Sequence, residues 1–242
     1  MISVLRKEIN SFLDSLVAYV VIIVFLTGIG LLMWVFPETS VLEYGYADMD
    51  TLFSFGPYVF MFLIPAITMR TFAEERRAGT MELLLTKPLT DWQIILGKYF
   101  SAFLLVIFAL VPTLIYYYSI YQLGQPEGNI DSAGVFGSYI GLVLLGGVFV
   151  AVGILASALA SNQIVAFIIA VFLCFILYSG LGSFAAINDW GSLSLFLEQA
   201  GLLYHYEALG KGLVDSRNVV YLISVSIIML AITRLIIGSR KW

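Results

Sequence analysis

The sequence predicts an all-α integral membrane protein of six transmembrane helices, and three observations carry that prediction. The first is composition: of 242 residues, 61% are hydrophobic and only 12% charged, whereas a soluble domain has about a quarter of its residues charged. No soluble fold of this length could bury so much apolar surface. The second is a series of uncharged runs long enough to cross a bilayer. The third is the sorting of basic residues to one side of those runs.

A helix needs about 20 apolar residues to cross a hydrocarbon core of roughly 30 Å. Ser15–Phe36, Thr51–Met69 and Tyr99–Leu123 meet that requirement. From Ser132 to Asn188 there is no charged residue, which is too long for one helix and right for two. Ser161-Asn162-Gln163 divides it into Val135–Ala160 and Ile164–Ile187. The sixth run is Asn218–Gly238, where Arg234 lies near enough the end to snorkel. The first run is longer than the apolar core of a signal peptide and no small-x-small cleavage pattern follows, so it is expected to remain in the mature chain. The 242 residues read as a single transmembrane domain.

Orientation follows from the loops. Arg6, Lys7, Arg70, Arg76, Arg77, Lys87, Lys98, Arg234, Arg240 and Lys241 fall on one side, ten of the twelve basic residues. The other side holds Lys211, Arg217 and a series of acids from Glu38 to Asp215. The positive-inside rule therefore expects both termini in the cytoplasm. Trp34, Trp92, Trp190 and Trp242 fall near the expected interfaces.

Residues 1–14 precede any span yet are patterned. Ile2, Leu5, Ile9, Phe12 and Leu16 recur at helical spacing with Arg6, Lys7 and Asn10 off the stripe. This predicts an amphipathic helix along the interface, serving as an anchor or as a docking surface. In the fourth span, Gly137/Gly141, Gly147/Ala151 and Gly153/Ser157 are pairs four apart on one face. Such faces let backbones approach, within one chain or across a dimer seam. Pro57, Pro65 and Pro112 are expected to bend their helices.

The stretch from Arg70 to Lys98 is the most informative. The second span is expected to run on through Glu74, Glu75, Arg76 and Arg77 and to stop at Gly79, which accepts a left-handed backbone. Thr80 would cap a short helix with Glu82 in its first turn, bearing Met81, Leu83, Leu84 and Leu85, with Lys87 near its end and Pro88 stopping it. Thr90 and Gln93 form a capping box for the next helix. A two-turn apolar helix at a membrane exit gains little from water and is expected to be covered by protein.

The string EERRAGTMELLLTKPLTDWQIILGK resembles the signature of ABC-2-type transporter permeases: an acidic pair, Gly-Thr, a Glu two residues on, a Leu-rich turn, Pro and a later Gly-Lys. Glu74, Glu75, Gly79, Thr80, Glu82, Leu84, Pro88, Gly97 and Lys98 fit it. The whole chain is similar to the gliding-motility-associated permease subunits of Bacteroidetes-type bacteria. The resemblance implies that Gly79–Lys87 is a coupling helix gripped by a cytoplasmic ABC ATPase, and that Met1–Asp14 lies against the same ATPase. It also implies a bacterial inner membrane location and re-entrant helices within Asp189–Arg217, acting as an outer gate or as a plug. A second permease chain, identical or related, is expected because six spans are few for enclosing a pathway.

The chain lacks a G-x-x-x-x-G-K-[ST] loop, so ATP and Mg are expected only in the partner ATPase. No metal cluster, catalytic pair or nucleic-acid-binding feature is legible. Cys174 lies in an apolar run and reads as a small core residue, and His205 reads as a surface or interface residue. An ion-coupled secondary transporter would need ionisable groups at the span centres, and none is present. A scaffold that assembles a larger machine without transporting is the remaining alternative. The sequence names no substrate.

Overall fold

A computed structural model describes residues 1–81, 89–187, 191–212 and 214–239. All regular structure among them is helical, and six helices are long and apolar enough to cross a membrane: Leu16–Trp34, Asp50–Arg77, Asp91–Leu123, Ser132–Leu159, Gln163–Ala186 and Ser216–Ser239, here spans 1 to 6. The chain is a multi-pass membrane protein.

Side-chain caps fix many of the helix starts. Ser15 accepts from the Val17 N–H, the Asp131 carboxylate from Ala133 and Gly134, and Asn162 from Ile164. Each satisfies amide donors that the first helical turn leaves free. The capping box of Thr90 and Gln93 starts span 3 at Asp91, eight residues before its uncharged run begins. Apolarity marks the bilayer portion, whereas the caps mark the helix. Pro112 removes one amide donor, and a short 3₁₀ turn, Val111–Thr113, interrupts span 3 there.

Span 4 is the hub. Four-fifths of its apolar window is buried (83%), against 28% for spans 1, 5 and 6. Its small residues make this possible, each facing a different neighbour within the chain. Gly137 lies against the Leu209 carbonyl and Gly141 against the Tyr206 ring. Gly147 faces Tyr99 and Phe103 of span 3, Ala151 is fully buried, and Gly153 lies against the Thr68 side chain of span 2. A Cβ at Gly153 would overlap Thr68, so spans 2 and 4 meet at backbone distance there.

Between spans 5 and 6 the chain forms two short helices, Ser192–Ala200 and Leu202–Leu209. They differ. Ser192–Ala200 buries no residue, while Leu202–Leu209 buries Leu202, Tyr206 and Leu209 against span 4. His205 ties this segment down: Nδ1 lies 2.7 Å from Asn218 Oδ1, Nε2 2.9 Å from the Gln199 carbonyl, and the ring stacks on Tyr221.

The bundle has a basic and an acidic end. Arg234 of span 6 lies over the Trp92 ring of span 3, and the N-terminal helix Ile2–Leu13 packs on span 3 at Gly97. The N-terminal helix and the end of span 6 therefore meet the bundle at its basic end.

Candidate functional site at the basic end

Span 2 is broken where it leaves the bundle. Its helix stops at Thr68, is interrupted at Met69, four residues after Pro65, and resumes as Arg70–Arg77. A break in a buried helix leaves backbone groups that must find other partners. Ser157 of span 4, itself fully buried, supplies them. Its hydroxyl accepts from the N–H groups of Phe72 (3.0 Å) and Ala73 (3.1 Å) and donates to the Met69 carbonyl (2.9 Å). One proton and two lone pairs are thereby all used.

The resumed helix ends as its sequence dictates. Gly79 has φ +67°, Thr80 N–H donates to the Glu75 carbonyl (2.9 Å), and Gly79 N–H donates to the Arg76 carbonyl (3.1 Å). This is a Schellman closure. The Thr80 hydroxyl also reaches the Glu75 carbonyl, at 3.3 Å. Met81 is buried. The remaining expected coupling residues, Glu82, Leu83, Leu84, Leu85, Lys87 and Pro88, lie outside the described residues.

On the far side of that loop, residues 91–98 form the first two turns of span 3. Lys98 closes the site, with only 1% of its side chain exposed. Its Nζ donates to Glu8 Oε1 (2.9 Å) and to the Thr71 carbonyl (2.6 Å), and sits 2.9 Å from Glu75 Oε1. Two of its protons are thus hydrogen-bonded, and the Glu75 carboxylate pairs with its charge. The Phe72 ring lies 5.0 Å beneath. Lys7 adds a second cation, 3.1 Å from Glu75 and 3.5 Å from Glu8, so the cluster is two cations and two anions. Burial pulls the Lys7 ammonium down, but Glu8 and Glu75 more than offset this, leaving its pKa above the ordinary lysine value.

Glycine makes the approach of the N-terminal helix possible. The position of a Cβ on Gly97 would be 3.0 Å from Val4 and 3.3 Å from the Met1 carbonyl, so any larger residue would push the N-terminal helix away. That helix buries Val4, Glu8 and Phe12, an i, i+4, i+8 face. Of the expected stripe, Phe12 is buried, Leu5 and Ile9 are half-buried, and Ile2 and Leu16 are exposed, with Arg6 also exposed. The protein-facing side is thus rotated from the most apolar side, and it is centred on a glutamate. Glu8 was not legible as a site residue because, alone, it reads as one more polar position. Its signal is its i±4 spacing to Val4 and Phe12, paired with a lysine set among Ile94, Ile95 and Tyr99.

The cluster joins three elements: the N-terminal helix through Glu8, the stem of span 2 through Glu75 and Thr71, and the stem of span 3 through Lys98. It borders a polar cavity of about 240 Å³ lined also by Arg70, Glu74 and Thr80. Arg70 reaches Ser15 (3.2 Å) and Arg76 reaches the Ala160 carbonyl (3.4 Å), adding spans 1 and 4 to the same junction. Among the described residues no group of histidine, cysteine and carboxylate side chains is placed to hold a metal ion. The arrangement ties the end of span 2 and the start of span 3 to each other and to the N-terminal helix at one junction.

A six-span helical membrane protein whose second and third spans are tied to the N-terminal helix at the basic end is the class that fold and site define. The chain belongs to the ABC-2 family transporter proteins, whose sequence profile matches residues 39–239. It is also similar to the probable multidrug ABC transporter permease YbhR of Escherichia coli strain K12, 37% identical over 102 residues, which is 42% of this chain and 26% of the relative. The same protein of Escherichia coli O157:H7 matches to the same extent. The aligned part thus spans about a quarter of the length of these curated relatives.

Proposed function

We propose that the chain is the permease subunit of an ATP-driven exporter, powered by a separate ABC ATPase that grips the loop between spans 2 and 3 from the cytoplasm. The observation that carries this is the Lys98 cluster, which welds the two stems of that loop to the N-terminal helix. A loop on loose tethers would dissipate an applied motion, whereas a welded one moves two spans as levers. In this reading the basic end is cytoplasmic, with both termini there, in a bacterial inner membrane. Glu74, Glu75, Gly79, Thr80, Met81 and the loop residues to Pro88 form the coupling region. The N-terminal helix is the second contact, and its exposed Ile2 and Leu13 rest in the bilayer. ATP and Mg belong to the partner, and a second permease chain, identical or related, completes the pathway.

A link to gliding motility rests on sequence resemblance alone, while the curated relatives carry the name of multidrug permeases. Purification of the tagged chain from native membranes tests the proposal. An ABC ATPase and a second permease chain should accompany it, and the permease should carry no ATP hydrolysis once the ATPase is stripped away. Recovery of the chain with no ATPase under mild solubilisation would refute it.

A further inference from the structure

The opposite, acidic end holds a built cavity pair that the coupling function leaves unused. Span 5 changes from α-helix to a π-turn at Ile176–Gly180, a wide turn that is uncommon and frequent at functional sites. The turn carries Tyr178, only 2% exposed, into the space beneath the short helix Leu202–Leu209. There it meets Tyr58 of span 2 edge-on (5.6 Å, 89°), Tyr206 (6.3 Å) and Phe149 (6.1 Å). The Tyr206 hydroxyl is anchored on the Phe53 carbonyl at 2.7 Å, which fixes its ring.

Two cavities meet at Tyr178, Leu203 and Glu207, of about 310 and 380 Å³. Each is within the range of small-molecule sites, roughly 300–1,000 Å³. Tyr178 lines both as a buried floor, the exposed rings are Tyr204 on one and Tyr58 on the other, and both carry exposed acids: Glu198 and Glu207 on the first, Asp50 and Glu207 on the second. Lys211 is the one base, on the rim of the larger cavity, so acids outnumber bases in both. Aromatic faces attract a cation through the ring quadrupole, and carboxylates at the mouth add charge complementarity. An anion is repelled by the same rim, and a neutral apolar molecule makes no use of it.

We infer that this cavity pair is a binding site for the cationic, aromatic head of an amphiphile, with Tyr58 and Tyr204 as its exposed rings over a floor of Tyr178 and Glu207 as its shared counter-charge. This rests on the transport reading, for which it names a substrate class, though the binding itself needs no ATPase. Tyr178 is too buried to substitute safely, so the rim is the place to test. Binding of tetraphenylphosphonium to the purified full-length chain in nanodiscs is measured against tetraphenylborate, of the same shape and opposite charge. The cation should bind more tightly than the borate, and Glu207→Gln and Tyr58→Leu should each weaken it roughly tenfold while leaving the borate unchanged. Equal affinity for the two ions, or a cation affinity untouched by both substitutions, would overturn the inference. ATPase retention measured on the same membranes separates the two questions: an ATPase that copurifies with a chain blind to the cation sinks the site and spares the permease reading.

Discussion

Replacing Lys98 by methionine keeps much of the volume of the side chain and removes only its charge and its three protons. Glu8 and Glu75, with side chains 10% and 13% exposed, then face each other across the same buried space. Removing one member of a buried ion pair costs about 3–5 kcal/mol, because the orphaned charge stays desolvated. Lys7 already touches both carboxylates at 3.1 and 3.5 Å and offsets part of that. The expected loss is therefore at the low end, about 3 kcal/mol, read by equilibrium unfolding in mixed micelles. Combining Lys98→Met with Glu8→Gln and Glu75→Gln removes the orphaned charges, and stability should return in large part. ATP hydrolysis by the assembled complex should nonetheless stay detached from the permease in the triple variant, since the weld is gone. A Lys98→Met chain as stable as the wild type, or a triple variant no better than the single, would refute the reasoning.

Further outcomes follow from the same geometry. Ser157→Ala leaves the Phe72 and Ala73 N–H groups without their acceptor and should cost about 1–3 kcal/mol, measured in the same micelles, whereas Gly153→Val should be worse because its side chain overlaps Thr68. Gly79→Val forces a β-branched residue to φ +67° and should destabilise the stem by about 1–3 kcal/mol, with Gly79→Asn recovering much of it. Lys7 has a raised pKa, so its contribution to stability is complete below the ordinary lysine value and is lost as pH rises through the folded value; the stability difference between wild type and Lys7→Gln should shrink only at that alkaline end. His205→Ala removes contacts to Gln199, Asn218 and Tyr221, and limited proteolysis of residues 191–201 should become faster with no change at the basic end.

The six spans were legible because bilayer-crossing helices are written as long uncharged runs, a signal independent of tertiary contacts. The stop at Gly79 and the start at Thr90 were legible because caps are local chemistry. Small residues of span 4 announced close packing, but not which neighbour each would face, since a spacing of four marks a face and no partner. The cluster itself was hidden. Glu8, Glu75 and Lys98 are separated by 67 and 23 positions, and nothing local says that a glutamate of an amphipathic helix faces inward. Ser157 was read as a small residue for packing, and its hydroxyl matters because span 2 breaks beside it. The unequal burial of the two outer helices also depends on the Gly137/Gly141 face that receives only one of them.

Coupling at the basic end is tested most directly by site-specific photo-crosslinking in native membranes. A photoreactive residue replaces Thr80, which is exposed at the tip of the span 2 stem, and a second chain carries it at Glu198 on the opposite end as a control. The ATPase-coupling reading predicts a crosslink from position 80 to an ABC ATPase and none from position 198. A chain that crosslinks from position 80 only to lipid, or equally from both positions, would contradict it.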